Sequence, residues 1–183
     1  MKLTETYISG LFVIEPDVFY DKRGYFLESF SSRRFEELTG LHVDFVQDNE
    51  SCSGYGTVRG LHFQKGDHAQ AKLVRVVSGR VLDVAVDLRE GSPTFGRHFS
   101  VELSGENHRQ MFIPKGFAHG FSVLSESAVF QYKCDAYYAP QSEGALLWDD
   151  PNLDIDWKLP LADVIVSEKD ARNQTFKEYL AGK

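Results

Sequence analysis

From residue 43 to 134 the chain runs as short segments rich in β-branched and aromatic residues, broken by turn residues at intervals that predict strands. Val43 to Val46, Lys72 to Val77, Arg80 to Leu88, His98 to Leu103, Arg109 to Ile113, Phe121 to Leu124 and Ala128 to Cys134 read as strands, with another across Val58 to Gln64. Ser78-Gly79, Glu90-Gly91-Ser92-Pro93, Ser104-Gly105-Glu106-Asn107 and Pro114-Lys115-Gly116 supply the turns. Side chains alternate between faces of a strand, so Ala128, Phe130, Tyr132 and Cys134 share one face and Val129, Gln131 and Lys133 the other. Helices are expected only at the flanks. One covers Ser32 to Leu38, stopped by Thr39-Gly40, and one covers Glu168 to Leu180, with Ser167 as N-cap and Gly182 after its end. The pattern predicts an all-β jelly-roll barrel with short flanking helices at the two ends of the chain; another closed β-barrel is the alternative.

Composition narrows the function without naming it. At 183 residues, with no repeat or linker, the chain is expected to form a single domain over 1–183. A net charge of -7 argues against a nucleic-acid binder, because phosphate is repelled unless basic residues gather in one place. The only apolar run near the N-terminus, Leu11 to Ile14, is too short for a signal peptide or a membrane span, so a cytoplasmic location and no membrane partner are expected. Cys52 and Cys134 lack metal-like spacing and are expected as buried or half-buried free thiols.

Four residues invite a chemical reading. In Val58-Arg59-Gly60-Leu61-His62-Phe63-Gln64, a regular strand would point Arg59 and His62 to opposite faces, whereas a bulge at Gly60, or a strand beginning after it, would let both reach one cavity. His62 could then be a general base, or simply a core histidine satisfied by a backbone carbonyl. Lys72 alternates with Val74 and Val76 on an apolar face, and an inward lysine must find an anion or lose its charge. His119 sits in a turn leading into an apolar strand and could be a corner residue. Asp170 could close a capping box with Ser167, or could sit on a histidine Nδ1–H and fix its tautomer. The acidic run from Trp148 to Asp156 lacks the glycine and terminal glutamate of a calcium loop and reads as solvated. His62 is followed by Phe63-Gln64, with no second histidine at position 64, so no metal is expected; no Gly-rich phosphate loop appears either, and no cofactor is expected.

Six motifs in order carry a resemblance that runs nearly end to end: Gly24-Tyr25-Phe26-Leu27-Glu28, Gln47-Asp48-Asn49-Glu50-Ser51, Arg59 to Gln64, Lys72 to Val76, Pro114 to Phe121 and Ser167 to Asp170. Together they resemble the dTDP-4-dehydrorhamnose 3,5-epimerase family. The resemblance implies a metal-free, cupin-type jelly roll, a homodimer, and the substrate dTDP-4-dehydro-6-deoxy-D-glucose. It also implies that His62 removes carbon-bound protons with Asp170 as its partner, that Tyr132 returns a proton from the other side, and that Lys72 steadies the enolate oxygen with help from His119. Arg23, Glu28, Gln47, Asn49, Arg59, Glu143 and Lys169 would hold the nucleotide sugar, with Phe26 and Tyr138 against the thymine. The alternatives are a related mono-epimerase or 3,4-ketoisomerase, a non-catalytic sugar-nucleotide-binding jelly roll, and a metal-dependent cupin oxygenase.

Overall fold

A computed structural model describes residues 1–182; Lys183, the last residue of the expected domain, lies outside them. Two antiparallel sheets face one another. The strands in chain order are β1 (Lys2–Glu5), β2 (Phe12–Glu15), β3 (Val18–Asp21), β4 (Gly24–Leu27), β5 (Gln47–Gly54), β6 (Val58–Gln64), β7 (Lys72–Ser78), β8 (Arg80–Asp87), β9 (His98–Ser104), β10 (Gln110–Ile113), β11 (Phe117–Val123), β12 (Ser127–Cys134) and β13 (Glu143–Ala145). Six form one sheet in the order β1-β2-β10-β7-β12-β5, and five form the other in the order β13-β6-β11-β8-β9. Among the described residues β3 and β4 pair only with each other, as a separate hairpin.

The inner faces meet over an apolar core that includes Val74, Val76, Phe130, Met111 and Ile113 from the larger sheet and Val81, Ala85, Phe117, Phe121 and Val123 from the smaller. Burial of this surface from water is the main force holding the sheets together. The outer face of the six-stranded sheet is covered by α1 (Ser32–Thr39), whose Phe35 packs edge-on to Phe112 and Phe45. α1 begins where the Ser31 Oγ accepts the Arg34 N–H and ends where Gly40 turns left-handed at φ 71°. The outer face of the five-stranded sheet is covered by the C-terminal segment, through Leu146, Leu153, Trp157, Phe176 and Tyr179.

Several sequence-based expectations need correction. Val43 to Val46 is not a strand: Val43 and Phe45 pack onto the sheet's outer face, and the ladder begins at Gln47. The strand expected from Phe121 starts at Phe117, so His119 lies within β11 and not in a turn. The helix expected from Glu168 is only a 3-10 turn at Asp170–Arg172, after which extended Asn173 interrupts it. α2 (Phe176–Ala181) follows, and its capping box is Thr175 with Glu178. Cys52 is exposed, and Cys134 is the buried thiol. In the acidic run Asp150 is buried and accepts the Phe176 N–H at 2.7 Å, fixing the start of α2 instead of facing water.

Candidate active site

A cavity of about 160 Å³ opens between the sheets, lined by Glu50, Ser51, Arg59, His62, Lys72, His119, Gly120, Phe121, Phe130 and Tyr132. The larger sheet contributes Lys72 from β7 and Tyr132 from β12; the smaller contributes His62 from β6 and His119 from β11. Alternation explains the inward residues on β7 and β12, because Val74 and Val76 beside Lys72, and Phe130 beside Tyr132, are core residues. β6 breaks its alternation as expected. His119 opposes His62 and Phe121 opposes Arg59, so two residues of β6 face one of β11, and the extra residue turns Arg59 and His62 to the same cavity. Only glycine fits here, since a Cβ on Gly60 would stand 2.5 Å from the Gly120 Cα.

Each histidine has a carboxylate. His62 Nε2 lies 2.7 Å from Asp170 Oδ1, with the imidazole half-exposed and the carboxylate buried. The contact is through Nε2 and not the Nδ1 expected from the sequence, so Nδ1 is the nitrogen that the carboxylate does not engage. The capping-box reading of Asp170 also falls: Ser167 Oγ accepts the Asp170 N–H at 3.0 Å, while the carboxylate turns away to His62. Burial opposes the Asp170 charge, but the His62 hydrogen bond and charge, with a backbone N–H from Gly60, hold its pKa below the ordinary carboxylate value. His119 Nε2 lies 2.8 Å from Asp83 Oδ1. Asp83 was missed in the sequence, although the alternation that singles out Lys72 also sets it between Val81 and Ala85 on the core face of β8.

The remaining cavity groups are tuned by burial. Burial lowers the pKa of Lys72, partly offset by Cys134 and Asp83, and raises that of Tyr132, helped by Cys134 and opposed by Arg59. Tyr132 therefore stays a protonated phenol. The Lys72 ammonium stands 5.7 Å from the centroid of the Tyr132 ring. Among the described residues no three His, Cys, Asp or Glu side chains gather as metal ligands.

A family model described as dTDP-4-dehydrorhamnose 3,5-epimerase matches residues 5–178. The chain belongs to the dTDP-4-dehydrorhamnose 3,5-epimerase family. It is 53% identical over 179 residues to the Pseudomonas aeruginosa dTDP-4-dehydrorhamnose 3,5-epimerase, covering 97% of each chain. Among solved structures, that of the Elizabethkingia anophelis dTDP-4-dehydrorhamnose 3,5-epimerase superposes with a TM-score of 0.93 at 58% identity, covering 97% of both chains. The Legionella pneumophila dTDP-6-deoxy-D-glucose-3,5-epimerase in complex with dTDP-4-keto-L-rhamnose superposes with a TM-score of 0.93 at 52% identity, covering 96% of this chain and 93% of that one. The two facing sheets are thus the cupin-like jelly roll of these epimerases.

Other residues that the epimerase resemblance singled out fall into two groups. One is a linked rim: Gln47 donates to Asn49 at 3.0 Å, the Tyr138 N–H reaches Gln47 Oε1 at 3.2 Å, and Lys169 pairs with Glu143 at 2.6 Å. Asn49 pairs in register with Tyr132, and Glu143 with Gln64, which ties this rim to the strands of the cavity. Arg59 belongs to the cavity wall and donates from Nε to Ser53 Oγ at 3.0 Å. The second group is not brought to the cavity by its own chain. Arg23 is paired with Asp21, Phe26 is 69% exposed on the β3–β4 hairpin, and Glu28 is held by Arg34 just beyond it. Gln64 also escaped the sequence reading: buried, it donates to the His68 and Tyr137 carbonyls and accepts the Ala139 N–H, anchoring the loop that carries Tyr138.

Proposed function

We propose that this protein is a dTDP-4-dehydrorhamnose 3,5-epimerase, converting dTDP-4-dehydro-6-deoxy-D-glucose to dTDP-4-dehydro-L-rhamnose as a single domain. The observation that carries the reading is the opposition of His62 and Tyr132, which reach one cavity from facing sheets with Lys72 beside the phenol. The substrate's C4 ketone acidifies the hydrogens on C3 and C5, because each carbanion delocalises onto the carbonyl oxygen. His62, oriented by Asp170, takes the proton. Tyr132 supplies one from the opposite face, which inverts the centre; a single side chain would return the proton where it was taken. Lys72 faces the oxygen that gains negative charge, and His119 assists. Preorganised donors of this kind are typically worth roughly 10²–10³ in turnover each. The walls of the cavity keep water from the planar intermediate.

Gln47, Asn49, Arg59, Glu143 and Lys169 would bind the sugar nucleotide, with Tyr138 against the base. Arg59 provides a local positive field for the diphosphate within a chain of net charge -7. A homodimer belongs to the same proposal. Arg23, Phe26 and Glu28 sit on or beside a hairpin that pairs with no other strand and exposes Phe19, Tyr20, Tyr25 and Phe26. A second copy covering that surface would carry the three residues to its partner's cavity. Among the described residues no helix is long and apolar enough to cross a membrane, and a cytoplasmic location is proposed with the biosynthetic role. The reaction is tested by incubation with dTDP-4-dehydro-6-deoxy-D-glucose in heavy water and NMR of the ring hydrogens. Deuterium at both C3 and C5 with inversion is expected; exchange at one carbon alone would reassign the chain to a mono-epimerase, and no exchange to a binding protein.

A further inference from the structure

Resting on that reaction, we propose that Asp83 is a positioning residue of the oxyanion site: it holds the His119 ring through Nε2 and provides the fixed negative charge that lets the Lys72 ammonium persist between the sheets. Asp83 is fully buried on the core face of β8, flanked by Val81 and Ala85, which are also fully buried. A lone carboxylate in such surroundings is costly to ionise and survives as an anion only beside compensating donors or cations. Its partners are few. Oδ1 meets His119 Nε2 at 2.8 Å, and Oδ2 has no hydrogen-bond partner among the described residues. The inward lysine has a ring contact with Tyr132. Burial raises the pKa of Asp83 and lowers that of Lys72, and each opposes the other's shift, with His119 also opposing that of Asp83, so the two groups lie within electrostatic reach of each other.

This arrangement answers what an inward lysine requires, which is an anion nearby. The ionisable groups facing Lys72 are Asp83 and His119 from the smaller sheet, Tyr132 and Cys134 on β12, and His62, Arg59 and Glu50 around the cavity. Cys134 is the register partner of Lys72, but burial raises its thiol pKa, so it is no anion near neutrality. Asp83 remains. Its grip on Nε2 also leaves Nδ1 as the His119 nitrogen available to a ligand, in a ring that stacks on Phe130 with centroids 6.0 Å apart. Ammonium and imidazole would then face the C4 oxygen in fixed positions, with the carboxylate behind them.

The test is Asp83→Asn, which keeps the size of the side chain and an oxygen for Nε2–H but removes the charge. Burial lowers the pKa of Lys72 and raises that of Tyr132, so on this proposal the alkaline limb of kcat follows Lys72. Without the Asp83 charge, Lys72 loses its proton more readily, and that limb moves to lower pH. We expect kcat to fall by roughly 10- to 100-fold, the KM to change by less than about twofold because the nucleotide contacts are untouched, and dTDP binding to persist. An unchanged kcat, or a fall in kcat with the limb unmoved, overturns the proposal and leaves Asp83 a packing residue. Should the variant fail to fold, His119→Gln is read instead: it keeps the carboxylate, so kcat falls while the limb does not move to lower pH. Movement to lower pH there would overturn the proposal equally. Wild-type enzyme is assayed alongside; if it does not epimerise, the reaction assignment fails and not the role of Asp83.

Discussion

Two histidine–carboxylate pairs sit side by side on β6 and β11, His62 with Asp170 and His119 with Asp83, and the histidines themselves are register partners. Their contact lengths, 2.7 and 2.8 Å, are nearly the same. Their burial is not. The side chain of His62 is 35% exposed, whereas that of His119 is 8% exposed and that of Asp83 fully buried. A base must shed its proton after each turnover, which favours contact with solvent or substrate; a donor to a developing oxyanion is best kept rigid and dry. On the proposed reading the same two residue types would serve different tasks, because one pair lies at the mouth and the other in the wall.

The largest break in this comparison comes from His62→Ala. It should abolish deuterium incorporation at both C3 and C5, with a loss of roughly 10³-fold, near the middle of the usual range for a general base. Normal exchange in the purified variant would remove His62 from that role. Lys72→Ala should cost roughly 10²–10³ in kcat while calorimetry still detects dTDP binding. Tyr132→Phe separates the faces: protons removed and restored from the histidine side should give exchange without full inversion, so full epimerisation would count against the phenol.

The smallest effect is thermodynamic and reads the two acids directly. The folded pKa of Asp170 is depressed, so its stabilisation is present above the unfolded carboxylate value and lost as pH falls through the folded one. Burial raises the folded pKa of Asp83 against the pull of His119 and Lys72, so its ionisation costs stability as pH rises above the unfolded value. Comparing melting temperatures, Asp170→Asn should be less stable than wild type near neutrality, with the gap closing in acid. For Asp83→Asn the difference should run the other way with pH. Parallel pH trends in the two variants would show that burial does not distinguish the pairs.

Much of this was legible in the residues. Twofold alternation placed Lys72 beside Val74 and Val76 and Tyr132 beside Phe130, and the glycine of Arg59-Gly60-Leu61-His62 pointed to the bulge that turns both neighbours inward. The same rule places Asp83 with Val81 and Ala85 on the inner face of β8. The C-terminal helix was misplaced because Ser167-Glu168-Lys169-Asp170 has the spacing of a cap. Thr175-Phe176-Lys177-Glu178 has it too, and only the second forms a capping box.

The sequence by itself determined which strands are amphipathic and which polar residues their inner faces carry, because alternation is a local property of extended backbone. Tertiary structure decided the partners. Asp170 meets His62 across 108 residues and Asp83 meets His119 across 36, and neither separation leaves a trace in local spacing. It also decided which imidazole nitrogen is committed and how deeply each pair is buried, since both depend on how the two sheets and the C-terminal segment pack, not on any one strand.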